Sequence, residues 1–175
     1  MLPGRFGGSW AGADDTARRG APEARYHPGV PLFSRRLPAV VTRADLAWLV
    51  TPTYAEALSV EDEEAHDRLE RALTHPGLVD DLLWGISEAL PAQQGARTTE
   101  DQLMDRLSKA LHARRGKVTA APAGPAVSAV LVRINVELGL AAEPMRLTLA
   151  TDKGQALLDD GLRKLGAHLV NELLK

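Results

Sequence analysis

The run Val130-Leu-Val-Arg-Ile-Asn-Val-Glu-Leu138 decides how the rest of the chain is read. Val130, Val132, Ile134, Val136 and Leu138 alternate there with Leu131, Arg133, Asn135 and Glu137. Period-two alternation is what a strand with one buried face requires, and β-branched side chains suit a pleated surface. After a connection at 139–144, Met145, Leu147 and Leu149 alternate with Arg146, Thr148 and Ala150. The two runs predict a C-terminal antiparallel β-hairpin. A lone hairpin is marginal in water. It must therefore pack on helices, gain a third strand from Lys117-Val-Thr119, or borrow one from a partner chain.

Helical periods surround the hairpin. Asp152-Lys-Gly-Gln155 caps a long final helix whose core stripe is Leu158, Leu162, Leu165, Leu169 and Leu173. Leu157, Val170 and Leu174 widen the stripe. Gly154, Gly161 and Gly166 interrupt it, each interior glycine costing about 1 kcal/mol relative to alanine. Such glycines point to another backbone packed closely against the helix. Upstream, Leu103, Met104, Leu107, Ala110 and Leu111 form the face of a helix over 99–115. Leu78, Val79, Leu82, Leu83, Ile86, Ala89 and Leu90 recur at helical spacing until Pro91, and Ala65, Leu69, Ala72 and Leu73 share a face after Ser59-Val-Glu-Asp62. Thr42-Arg-Ala-Asp45 has capping-box form. It opens a short helix carrying Leu46, Trp48, Leu49 and Val50, and Thr51-Pro52 starts a second short turn through Leu58. The expected class is α+β: several short amphipathic helices, the hairpin and the final helix, in one domain over 39–175.

Residues 1–38 read differently. Glycines and prolines break every period, and six arginines stand against three acidic residues. This is a basic arm expected to be flexible. It nevertheless carries Phe6, Trp10, Tyr26 and Phe33, four of the seven aromatic residues in the chain. Two readings stand side by side: a terminus without fixed structure, or a strap that orders on a partner with those four residues as partner-binding anchors.

Composition excludes several chemistries. The chain has no cysteine, so disulfides, thiolate metal sites and cysteine nucleophiles are absent together. That suits a reducing, cytoplasmic setting, and no apolar stretch is long enough to predict membrane insertion. Asp62, His66 and Glu70 fall at i, i+4 and i+8, a spacing a metal could use, but no HExxH pattern accompanies them and a solvated acidic face is expected. Gly85-Ile-Ser87-Glu-Ala89 lacks the final glycine of a nucleophile elbow, and no glycine-rich phosphate loop is present. No catalytic residue, no cofactor and no metal site is therefore assigned, and the chain is not read as an enzyme. Helices followed by a hairpin are also the element order of a winged helix, and Arg114, Arg115 and Lys117 supply cations. Glu100, Asp101 and Asp105 on the same helix would meet phosphates unfavourably. Nucleic-acid binding is the alternative, and an enzyme without a recognisable motif the second alternative.

Pro31-Leu-Phe-Ser-Arg-Arg-Leu37, Arg43-Ala-Asp-Leu-Ala-Trp-Leu-Val50, Val132-Arg-Ile-Asn-Val-Glu-Leu138 and Pro144-Met-Arg-Leu-Thr-Leu149 carry a collinear likeness over 31–151. The order resembles the baseplate wedge, or sheath-initiator, proteins of contractile tails and type VI secretion machines: a leader, a first helix and two closing strands. Ala113-Arg-Arg115 stands where that family has Glu-Pro-Arg, and the helix over 153–174 would be an addition. The resemblance implies a structural protein that seats other subunits and has no active site. Together these readings predict a non-enzymatic structural or adaptor subunit, contacting other protein subunits through the arm and the hairpin edge.

Overall fold

In the computed structural model, which describes residues 41–94, 100–114 and 116–175, the deciding run is a helix. The element order is α1 (Arg43–Leu58), α2 (Asp62–Ala72), α3 (Pro76–Gln94), α4 (Glu100–Arg114), α5 (Pro125–Glu137), α6 (Glu143–Leu149) and α7 (Asp152–Leu174). No strand occurs among the described residues. The α+β class, the C-terminal hairpin and its free edge are overturned: the described fold is all-helical.

The physical reason lies just outside the alternating window. Pro125 sits at the first turn of α5, where its missing N–H is not needed and its fixed φ favours the helix. From there Val127, Val130, Leu131 and Ile134 recur at i, i+3, i+4 and i+7 and are all buried, giving the segment a helical stripe as well as a strand period. Leu131, which the alternation turned outward, is 7% exposed. Gly139, expected in a hairpin connection, ends the helix with φ +68° while Leu140 N–H donates to the Asn135 carbonyl at 2.8 Å. That six-to-one bond around a left-handed glycine is a Schellman stop. Pro144 likewise stands in the first turn of α6, so the second supposed strand is a helix too.

α7 is the central element, packed chiefly against α3 and α5. Leu158, Leu162, Leu165, Leu169 and Leu173 are at most 3% exposed, as the sequence stripe requires. Burying each contributes about 1.5–3 kcal/mol. Its glycines make the close approach expected of them. A Cβ at Gly166 would fall under 3.0 Å from the Gly85 backbone of α3, one at Gly161 under 3.0 Å from the Ala126 backbone of α5, and one at Gly154 under 3.0 Å from Thr148 of α6. α7 thus touches three helices backbone to backbone.

The Lys117–Thr119 segment is not a third strand. It runs irregularly across α7, tied by side chains: Thr119 Oγ1 donates to Glu172 Oε2 at 3.0 Å, and Ala121 N–H donates to Thr53 Oγ1 at 2.9 Å. The capping box forms as read, with Thr42 and Asp45 bonding reciprocally. Four boundaries differ. Pro52 lies inside one continuous α1 instead of starting a second turn, Ser59 ends α1 with φ 53° instead of opening α2, and Thr151 caps α7. α3 continues through Pro91 to Gln94. The residues likened to the closing strands of sheath-initiator proteins are α5 and α6, so that part of the likeness has no structural counterpart here.

Candidate functional site

α6 is seven residues long and only Leu149 is buried in it. Gly154 lets α7 begin directly beneath its last turn, and Thr151 Oγ1 donates to the Thr148 carbonyl at 2.7 Å, fixing the corner. α6 is thereby held off the body like a lip. Between it, α5 and the first turns of α7 lies a groove of about 280 Å³. Ala129 and Val132 of α5 form one wall, Pro144, Met145 and Leu149 of α6 the other, and Leu157 of α7 closes the end. Ser128 and Thr148 are the hydroxyl-bearing residues of the described lining, among which there is no ionisable side chain. Thr148 Oγ1 already donates to the Pro144 carbonyl at 2.8 Å. An apolar lining of this kind suits apolar groups.

Two large apolar side chains of its lining, Met145 and Leu157, are exposed. Among the described residues, Leu140, Met145, Leu147 and Leu157 are 57%, 54%, 62% and 38% exposed. The remaining exposed large apolar residue, Trp48, stacks on His66 with ring centroids 4.4 Å apart. Single exposed apolar side chains are ordinary, and Met145 and Leu157 differ from the others in facing one apolar groove.

Polar groups elsewhere are engaged in holding helices together. His66 is turned onto α1, with Nδ1 3.4 Å from Thr51 Oγ1 and Nε2 3.4 Å from Glu70. It does not stand on a free acidic face with Asp62. No group of three or more potential metal-ligating side chains occurs among the described residues. Ser87 is buried and donates to the Trp84 carbonyl at 2.8 Å. Arg114, read as a cation for nucleic acid, donates to the Glu172 carbonyl at 3.0 Å and so caps α7. The wing that a winged helix needs is α5 and α6. Arg115, Phe6, Trp10, Tyr26 and Phe33 lie outside the described residues.

Alternation also hid an ionic cluster. Arg133 pairs with Glu137 and lies 3.5 Å from Asp81 of α3, while His75 Nδ1 is 3.1 Å from Glu137. Helical spacing brings Arg133 and Glu137 together at i and i+4, which no strand would do. Nearby, Tyr54 donates to Asn135 Oδ1 at 2.7 Å, and burial pushes its phenol above the ordinary range against the opposing pull of Arg68. At the other end of α7, Lys175 chiefly, with Thr119, holds the Glu172 carboxyl down to about 2.

The groove was missed because its walls were assigned to two strands. The signal that would have found it is the pair Gly124-Pro125 and Glu143-Pro144, each a helix start. Compared with protein families, with characterised proteins and with solved structures, the chain matches none. No described helix is long and apolar enough to cross a membrane.

Proposed function

We propose that the protein is a non-enzymatic structural or adaptor subunit of a cytoplasmic assembly, and that it seats an apolar segment of a partner in the α5–α6–α7 groove. One observation carries this reading: Met145 of α6 and Leu157 of α7, both in the apolar lining of one groove, are 54% and 38% exposed. Full burial of each such side chain is worth about 1.5–3 kcal/mol. The groove's lack of ionisable lining favours docking over chemistry. The cysteine-free composition suits a reducing compartment. Likeness to sheath-initiator proteins adds no support, since its two strand segments are helices.

The test is co-purification of the full chain with its partner from its own cells. Met145→Asp and Leu157→Asp each place a charge where an apolar segment would sit. Both are expected to lose the partner while keeping the melting transition, because neither residue is buried in the free chain. Asp67→Ala, on the acidic helix α2 and outside the groove lining, is expected to retain it. A Met145→Asp variant that holds its partner unchanged would remove the groove from the function.

A further inference from the structure

We infer that proton uptake by His66 closes a clasp between α1 and α2, so that α2 is held more firmly in acid than in base. The clasp is built from Trp48 and Thr51 of α1 and from His66 and Glu70 of α2. Its first ground is an accounting of donors. Thr51 is buried, and its Oγ1 donates its one proton to the Ala47 carbonyl at 2.8 Å. Toward His66 Nδ1, 3.4 Å away, the hydroxyl therefore presents lone pairs. Nε2 faces the Glu70 carboxylate, also at 3.4 Å. Both ring nitrogens look at acceptors. A neutral imidazole carries one N–H and serves only one of them, leaving a lone pair turned on oxygen at the other. The imidazolium serves both. Turning the Thr51 proton onto Nδ1 instead would exchange a bond of 2.8 Å for one of 3.4 Å, outside the favourable range.

Distance and stacking act in the same direction. Charge-assisted hydrogen bonds are about 2.7–2.9 Å long, so both separations have room to shorten once the ring is charged. The ring lies on Trp48, with centroids 4.4 Å apart and planes 31° from parallel. An indole face attracts a cation held this close. Asp62 and Glu63, one turn before His66 on α2, and Glu56 near the end of α1 are carboxylates that attract it too. The arginines of α2 are engaged elsewhere: Arg68 pairs with Glu64, and Arg71 Nε donates to the Asp67 carbonyl. On the elements packed against α2, Asp45 of α1 is bonded to Thr42, Tyr54 of α1 to Asn135, and Arg133 of α5 to Glu137. The tie has leverage because α2 buries little. Its buried residues are Ala65, Leu69 and Ala72, two of them alanines. Elements with few buried apolar contacts open first. Histidine changes charge between about pH 5 and 8. The clasp is therefore complete at the acid end of that window and lost as pH rises through it.

Hydrogen–deuterium exchange of the full chain at about pH 5.5 and about pH 8 tests this, with rates converted to protection factors to remove the intrinsic pH dependence. Amides of α2 are expected to be several-fold better protected in the acid sample. His66→Gln, which cannot take up a proton, should bring the acid value down to the alkaline one, whereas His112→Gln on α4 should keep the full difference. Equal protection at the two pH values, or a difference that survives His66→Gln, would overturn the inference. Nitrogen NMR reads the ring itself: two His66 N–H protons slowed in solvent exchange are expected at the acid end. Ring protons that exchange freely there would overturn it as well, since neither Thr51 nor Glu70 would then be holding them.

Discussion

Gly166 and Gly85 let α3 and α7 meet backbone to backbone, and a methyl group at either has nowhere to go. At Gly166 a Cβ would lie under 3.0 Å from the Gly85 carbonyl, which belongs to a helix and cannot swing aside as a side chain would. Alanine improves helix propensity by about 1 kcal/mol. Forcing packed backbones apart costs about 1–3 kcal/mol and forfeits leucine contacts along the whole stripe. Gly166→Ala is therefore expected to destabilise, seen as a lower denaturation midpoint; an unchanged midpoint would show that α3 and α7 separate freely. Glu172 makes a second prediction at this scale. Its carboxyl is held from 4.5 down to about 2, first by Lys175 and then by Thr119. The unfolded state takes up this proton first as pH falls, so the contribution is complete above about 4.5 and disappears toward 2. Glu172→Gln should thus cost stability near neutrality, with the difference in melting temperature narrowing through that window. A difference constant with pH would mean that the carboxylate pairs without consequence.

α5 is where sequence reading and structure part. Valine and isoleucine at 130, 132, 134 and 136 satisfied the strand period, and β-branched residues strengthened it. The same segment satisfied the helical period through Val127, Val130, Leu131 and Ile134, and tertiary packing on α7 decided between them. Where only one period was present, as in the leucine stripe of α7, the glycines beside it and the capping box of α1, the sequence was sufficient. Pro52 and Pro91 misled the boundaries because a proline tolerated inside a helix looks the same as one that starts or stops it. The groove was illegible for a related reason: its walls exist only when α5 and α6 are helices. Substitution distinguishes the two readings. Leu131→Ala should cost about 2–5 kcal/mol, as for a buried leucine, and Val132→Thr, at the groove, much less. A strand would reverse that order, since it buries Val132 and exposes Leu131.

Across the whole molecule, the core runs along α7 and the features are divided by end. One end, at Leu173, Glu172 and Thr119, is closed by polar ties between α1, α4, α7 and the 116–124 segment. The other, at α6, is left apolar and open. Met145 and Leu157 are exposed there in the lining of the groove. Their exposure is the basis for proposing this end as the seat of a partner. Hydrogen–deuterium exchange on the full chain, alone and in the complex it forms in its own cells, tests that assignment most directly. Amides over 140–157 should exchange markedly more slowly in the complex, while α2, on the acidic face, stays as it is in the free chain. Protection confined to α2, with 140–157 unchanged, would contradict the account.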